Sequence, residues 1–182
     1  MKNLGTKMVV IVVVAAAIGC VEGEAQDPGF LVQRQAISSC GGFGEVTPPA
    51  TDGDGDYCEA ERLEWTYDAA TETLQLTDAR ALLNCCGERS LTMTLVDGVN
   101  VITETDAPEG EGGRCDCMCV FDLRLTVGGL FGGILPVRVE RLETDVASAP
   151  ATIWEGEIDL GLAGGSVIMD PTDAGMWCRG GE

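Results

Sequence analysis

The chain has 182 residues, carries 11 Lys+Arg against 30 Asp+Glu, and contains no histidine. The absence of histidine excludes Ser-His-Asp and Cys-His catalysis, as well as His-ligated zinc and copper sites. A net charge of −19 repels the phosphate backbone of nucleic acids, whose binding needs clustered Lys and Arg, so nucleic acid is excluded as a partner.

The first 19 residues have the pattern of a secretory signal peptide. Lys2 and Lys7 give a positive start, and residues 8–18 form an unbroken apolar run that leads to Cys20. A membrane-spanning helix needs roughly 20 apolar residues, so this run is too short to cross a bilayer and fits the apolar region of a signal peptide. We predict a signal peptide at residues 1–19.

The stretch Ala17-Ile18-Gly19-Cys20 resembles the lipobox of bacterial lipoproteins. The resemblance implies that Cys20 becomes the first residue of the mature protein, is lipidated with acyl chains such as palmitate, and anchors the protein to the lipid bilayer. Val21 implies the outer membrane, by resemblance to the sorting rule of enteric bacteria. Two alternatives stay open at this point: an ordinary secretory signal in which Cys20 is incidental, and an uncleaved N-terminal anchor.

Residues 20–57 are predicted to form a flexible acidic tether, because they are rich in Gly, Pro, Asp and Glu and lack sustained periodicity. Both lysines lie in the signal peptide, so the mature chain has nine Arg against 30 acidic residues, a net charge of −21. Within the tether, "DGDGDY" (52–57) places Asp at the first, third and fifth positions of an EF-type calcium loop. Tyr57 and Leu63 stand where that loop needs Gly and a bidentate acid, so a polar linker is preferred over a calcium site.

Residues 58–182 are predicted to form one all-β domain. Apolar and polar residues alternate there, which is typical of half-buried strands. Seven or eight such strands at this spacing indicate a single antiparallel β-sandwich, immunoglobulin- or fibronectin-like, stapled by disulfides. The predicted strands are "RLEWTY" (62–67), "ETLQLT" (72–77), "SLTMTLV" (90–96), "VNVITET" (99–105), "CDCMCVFDLRLTV" (115–127), "ILPVRVERLE" (134–143), "TIWEGEIDL" (152–160) and "SVIMD" (166–170).

Three local signals add detail to this prediction. Asp97-Gly98 predicts a hairpin with a type I′ turn, which needs two residues that tolerate positive φ. Pro136 favours an edge position for its strand, because proline cannot donate a hydrogen bond to a neighbouring strand. The stretch "TDARALLN" (77–84) hints at a helical turn.

The cysteines form the strongest pattern in the predicted domain. An exported chain meets an oxidising compartment in which disulfides persist, and eight cysteines remain when Cys20 is set aside. The disulfide candidates are Cys40, Cys58, Cys85, Cys86, Cys115, Cys117, Cys119 and Cys178.

Strand geometry restricts how these cysteines pair. Side chains two residues apart on a strand have Cβ atoms nearly 7 Å apart, whereas a disulfide needs about 3.8 Å, so Cys115, Cys117 and Cys119 cannot pair with one another without a bend in the strand. We expect at least one of Cys85 and Cys86 to bridge to the strand that carries these three. Two placements stay open for Cys40 and Cys58, which either pair with each other or anchor the tether. We expect Cys178 to hold the C-terminus.

An alternative interpretation of the cysteines in these two motifs is a thiolate metal site for Cu(I) or zinc. Its ligands would be Cys85, Cys86, Cys115, Cys117 and Cys119. Neither CC nor CxC matches the C-x₂₋₄-C spacing of zinc sites, and the C-x-x-C motif of redox enzymes is absent, so disulfides are preferred.

The pair "NCCG" (84–87) and "CDCMCVFDL" (115–123) also resembles a group of small bacterial extracytoplasmic β-domains. Those domains carry a double cysteine followed by a CxCxC strand that ends in an aromatic-Asp pair. The resemblance covers about residues 60–140 and implies no activity.

These observations favour a non-enzymatic protein without a cofactor. We expect a lipid-anchored lipoprotein of the cell envelope whose β-sandwich acts as a structural or binding module, with the bilayer and an envelope protein as partners. The loops "DAPEGEGG" (106–113) and "GGLFGG" (128–133) are the candidate binding segments. A periplasmic thiolate metal-binding protein is the first alternative. A carboxylate-based hydrolase ranks last, because no pair of acids stands out and aromatic residues to stack on a sugar are few.

Overall fold

The computed structural model describes residues 31–43, 60–110 and 113–172. This part of the chain forms nine strands and has no helix long and apolar enough to cross a membrane. The strands are β1 (Leu31–Ile37), β2 (Glu61–Asp68), β3 (Thr73–Asn84), β4 (Glu88–Val96), β5 (Val99–Ala107), β6 (Met118–Gly128), β7 (Ile134–Glu143), β8 (Ala151–Asp159) and β9 (Gly164–Asp170).

The strands form two sheets, which confirms the predicted all-β sandwich. One sheet has the order β1-β6-β3-β2-β9, and the other has the order β4-β5-β7-β8. The pairing of β5 with β7 is parallel, whereas the other pairings in the described residues are antiparallel. The prediction that all strands pair antiparallel is therefore wrong at this one pairing. β5 and β7 run in the same direction because the chain between them passes through β6, which lies in the other sheet.

The two sheets share one apolar core, as the alternating sequence pattern predicts. Its buried side chains stand on the facing sides of both sheets. The first sheet contributes Leu63, Trp65, Tyr67, Leu74, Leu76, Phe121, Leu123, Leu125 and Val127, and the second contributes Leu91, Met93, Ile102, Val137, Val139 and Ile158. The Asp97-Gly98 hairpin between β4 and β5 is also confirmed, with φ of 51° and 84° at the two turn residues.

The helical turn predicted at residues 77–84 is wrong, because this stretch continues β3. β3 pairs with β6 on one side as far as Asn84 and with β2 on the other, and a bulge interrupts its register with β6 between Asp78 and Ala81. Arg80 lies in the bulge with φ of 74°. The bulge shifts the alternation by one residue, so the inward positions are Leu76 and Asp78 before it and Ala81 and Leu83 after it. This change of phase explains why the sequence did not show a strand.

Two further predictions are corrected by the sheet pairing. β1 lies inside the predicted tether of residues 20–57, so the sandwich begins before residue 58. Pro136 does not mark an edge, because β7 lies between β5 and β8. The parallel ladder with β5 starts only at Asn100 opposite Val137, so the missing N–H of Pro136 falls just outside that ladder. The Pro136 carbonyl accepts a hydrogen bond from Asn100 Nδ2 at 2.9 Å.

The sandwich has two chemically different ends. At the disulfide end lie the connections β3–β4, β5–β6 and β7–β8 and the segment after β1. At the opposite end, called here the apolar tip, lie the start of β1 and the turns at residues 69–72, 97–98, 129–133 and 160–163.

Candidate functional site

Among the described residues, three disulfides close the disulfide end. Cys85 and Cys86, directly after β3, bond to Cys117 and Cys115, which precede β6, with Cα–Cα distances of 5.6 and 5.5 Å. The segment between β3 and β4 and the segment between β5 and β6 each pass from one sheet to the other, and the two disulfides join these two crossover segments. The expectation that at least one of Cys85 and Cys86 bridges to the CxCxC stretch is confirmed, and both do.

The third disulfide joins Cys40 to Cys119, with a Cα–Cα distance of 5.6 Å. It holds the segment after β1 against β6, where Gly41 N also donates to Val120 O at 2.9 Å. The option that Cys40 pairs with Cys58 is therefore wrong, while the option that Cys40 anchors the N-terminal segment agrees with the structure. Cys20, Cys58 and Cys178 lie outside the described residues.

The predicted strand at residues 115–127 is shorter than expected. β6 begins at Met118, so Cys115 and Cys117 lie in the crossover and only Cys119 belongs to the strand. All five sulfurs of the thiolate metal alternative take part in disulfides, so a metal site at these residues would require the bonds to be reduced first. The described residues also contain no group of three or more Cys, Asp or Glu arranged to hold a metal ion.

A cluster of buried charges lies between the sheets in the half nearer the disulfide end. Its centre is Arg141 of β7, whose guanidinium reaches carboxylates on three other strands. Nη2 lies 2.7 Å from Glu61 Oε1, 2.9 Å from Asp78 Oδ2 and 2.7 Å from Glu104 Oε2, and Nε donates to Glu104 Oε2 at 2.9 Å. These four side chains are 2–13 % exposed, which leaves little surface for a substrate. We therefore interpret the Arg141 cluster as part of the interior rather than as a carboxylate active site.

The Arg141 cluster holds more acid than base, because three carboxyl groups face one guanidinium. Nη2 has two hydrogens for three acceptors, and Asp78 Oδ1 is buried without a hydrogen-bond partner. Burial raises the pKa of Asp78 well above its ordinary value, and the charges of Glu104 and Glu61 raise it further against the opposing effect of Arg141. For Arg141, burial favours the neutral form, but the three acids hold its pKa well above the ordinary value. Protonation of Asp78 would lower the excess of negative charge in the cluster from two to one.

Asp78→Asn is expected to remove a pH dependence of stability that the native protein has. A carboxyl whose folded pKa is raised stabilises the fold fully below the pKa of a free Asp, and this stability is lost as the pH rises through the raised folded pKa. The loss is up to about 1.4 kcal/mol per pH unit within that window. Asparagine cannot ionise and keeps the shape of protonated Asp78. Urea unfolding of both proteins across pH 4–9 measures the difference, with about pH 4 taken from the free-Asp value.

The control for this prediction is Asp68→Asn on the surface. Hydrogen bonds from Thr71 and from the Ala70 N–H lower the pKa of Asp68, so its contribution has the opposite sign and is lost as the pH falls. From pH 4 to 9 the stability curves of the control variant and the native protein should therefore be parallel, because the pH dependence contributed by Asp68 lies below the pKa of a free Asp. Parallel stability curves for Asp78→Asn and the native protein from pH 4 to 9 would contradict a protonated Asp78.

A second charge cluster ties the β5–β6 crossover to the sandwich. Arg114 Nη1 donates to the buried Asp106 Oδ2 at 2.6 Å, and its Nη2 donates to Asp145 Oδ1 at 2.6 Å. Arg89 Nε lies 3.7 Å from the other carboxylate oxygen of Asp106, Oδ1. The Arg89 guanidinium also stacks over the Phe121 ring, with Cζ 3.7 Å from the ring centroid. Because Asp106, Arg89 and Phe121 all point inward, this cluster extends the polar interior to the disulfides.

Asp122 is a buried acid on the outer side of the first sheet, under the segment that follows β1. Its Oδ1 accepts a hydrogen bond from Arg80 N and its Oδ2 accepts one from Phe43 N, each at 3.1 Å. The Asp122 and Ser38 backbones are also linked, because Ser38 N donates to Asp122 O at 3.0 Å. Asp122 therefore fastens both the bulge of β3 and the end of the N-terminal segment.

The two predicted binding loops lie at opposite ends of the sandwich. The loop at residues 106–113 is at the disulfide end, with residues 111 and 112 outside the described part, and Asp106 is one of the buried acids. The loop at residues 128–133 is at the apolar tip, where Leu130 is buried and its carbonyl accepts a hydrogen bond from Tyr67 Oη at 2.7 Å. Phe131 follows and is 77 % exposed. The two loops therefore cannot form one binding site.

Sequence reasoning missed the buried charge clusters. The inward positions of β5 are Asn100, Ile102, Glu104 and Asp106, so only one of the four is apolar. The outward face of the same strand carries Val101 and two threonines. The two faces of β5 therefore differ little in hydrophobicity, and the sequence does not show which face is buried. One signal for a buried charge was available in the sequence of β7. Arg141 follows Val137 and Val139 at the same two-residue spacing, so it lies on the same inward face as these buried valines.

Comparison with known proteins returned no matching family model, no matching curated protein and no matching solved structure.

Proposed function

We propose that the protein is a lipoprotein of the bacterial cell envelope, anchored in the outer membrane by acyl chains on Cys20, whose β-sandwich acts as a structural or binding module without enzymatic activity. The observation that carries this proposal is the set of three disulfides at one end of the sandwich. Disulfides persist in oxidising compartments and are rare in the cytosol, so they support an exported chain. The lipobox-like Ala17-Ile18-Gly19-Cys20 supports the lipid anchor.

The buried charges support a structural role over catalysis. The acids of the sandwich interior are engaged by Arg141, Arg114 and Arg89 rather than open to a substrate. An exposed acidic surface, with a mature net charge of −21, keeps such a domain soluble while the anchor holds it at the membrane.

Cys20→Ser is expected to abolish lipidation, because the hydroxyl replaces the only sulfur at the lipobox position. The test is labelling with radioactive palmitate in a bacterial host, followed by separation of membrane and soluble fractions. We expect labelled native protein in the membrane fraction and unlabelled Cys20→Ser in the soluble fraction. Cys178→Ser serves as the control, since it also removes one cysteine but leaves the lipobox intact and should keep the label. Equal label in native protein and Cys20→Ser would refute the proposed anchor.

A further inference from the structure

Of the side chains that the structure describes at the apolar tip, four large apolar ones are exposed. Phe131 is 77 % exposed, Ile134 59 %, Leu162 55 % and Val96 43 %. Exposed apolar residues that gather in one place mark surfaces that contact a partner or a membrane.

The loops that carry these side chains are linked to one another by backbone pairing. Leu160 N, in the turn between β8 and β9, donates to Gly133 O at 2.8 Å, and Ile134 pairs with Asp159 at the end of β8. The β4–β5 hairpin that carries Val96 adjoins them in the same sheet, since Asn100 pairs with Val137.

The fold holds Phe131 outward rather than leaving it on a loose loop. Its neighbour Leu130 is buried, donates its N–H to Glu72 O at 3.2 Å and accepts from Tyr67 Oη at 2.7 Å. Gly129 and Gly133 on either side have φ of 78° and 134°, which a residue with a side chain rarely adopts. The turn that presents Phe131 is therefore fixed at both ends.

The path of the N-terminal segment indicates what the apolar tip meets. β1 starts at this end, because Leu31 pairs with Gly128, which immediately precedes the turn that carries Phe131. Ten residues separate Cys20 from Leu31, and a fully extended chain of that length reaches at most about 35 Å. An acylated Cys20 would therefore hold the apolar tip, and not the disulfide end, close to the bilayer.

Resting on the proposed lipid anchor, we propose that the apolar tip docks on the bilayer surface, with Phe131 and Leu162 inserted at the level of the lipid headgroups. The acids around the tip, Asp68, Glu72, Asp97 and Asp159, repel anionic lipids. The contact is therefore apolar, and neutral phosphatidylcholine is the lipid that suits it. The disulfides then face away from the membrane.

The test places a tryptophan at the apolar tip of the full lipidated chain. Phe131→Trp and Leu162→Trp are reconstituted in vesicles of phosphatidylcholine or of its brominated form, which quenches nearby tryptophan. Amphipathic surfaces enter the interface by about 5–10 Å, and at that depth we expect about a twofold loss of the added fluorescence. Val146→Trp is the matched control, because Val146 is also an exposed apolar residue, at 75 %, but lies at the disulfide end, and it should not be quenched.

The outcomes separate the tip proposal from the anchor. If the chain is acylated by intact mass and bound to vesicles, but the tip variants are quenched no more than Val146→Trp, the docking is overturned and the anchor stands. If the mass shows no acyl chains, the anchor is overturned and the docking with it. A Cys20→Ser chain that forms dimers, with tip tryptophans shielded from a soluble quencher only in the dimer, would assign the tip to a second copy and also overturn the docking.

Discussion

Replacing Arg141 with methionine is expected to lower the free energy of unfolding by about 3–5 kcal/mol, which is the range for breaking a buried ion pair by removing one partner. Methionine has a similar length but cannot donate to Glu61, Asp78 or Glu104, so three buried carboxyl groups would lose their common cation. Denaturation by urea, monitored by tryptophan fluorescence, measures the change.

The matched control is Arg138→Met on the same strand. Arg138 is on the outer side of β7 and forms a more exposed pair with Glu140 at 2.8 Å, which limits the expected loss to about 1 kcal/mol. Adding Glu104→Gln to Arg141→Met should restore part of the stability, because one uncompensated charge disappears. A loss for Arg141→Met no larger than that for Arg138→Met would show that the Arg141 cluster does not hold the sheets together.

Removing the Cys40–Cys119 disulfide is expected to cost about 4 kcal/mol, more than removing either of the other two alone. The bond joins residues 79 apart, and even through the other disulfides the shortest covalent path between them is roughly 50 residues, for which the chain-entropy relation gives this value. Cys40→Ala with Cys119→Ala tests it, with alanine chosen because Cys119 is buried. Unfolding in urea under non-reducing conditions gives the measurement.

The other two disulfides are expected to be partly redundant. While Cys86–Cys115 is intact, Cys85–Cys117 closes a loop of only a few residues, so removing it alone should cost about 2 kcal/mol. Removing the second bond then frees a loop of 29 residues and should cost about 3.5 kcal/mol more. Equal costs for the first and the second removal would contradict this account.

Much of the architecture is predictable from the sequence because strand periodicity is local. The predicted strand at residues 134–143 coincides with β7, and those at 62–67 and 90–96 lie within β2 and β4. The turn at Asp97-Gly98 follows from two adjacent residues. In these cases the decisive information lies within a few residues of the chain. The bridging of Cys85 and Cys86 to the CxCxC stretch was instead expected from the even number of cysteines and the oxidising compartment.

The sequence by itself determined the strand class and the main hairpin, because alternation and turn preference are local properties, and it predicted that at least one of Cys85 and Cys86 bridges to the CxCxC stretch. Only the tertiary structure decided which cysteines pair, that β1 joins the sheet, that β3 continues through a bulge and that the interior contains buried charges. Arg141 lies 37 residues from Glu104, 63 from Asp78 and 80 from Glu61 in the chain. Burying a charged side chain costs free energy unless an oppositely charged or hydrogen-bonding partner lies next to it. Here those partners are distant in the chain, so no local sequence pattern predicts the contact.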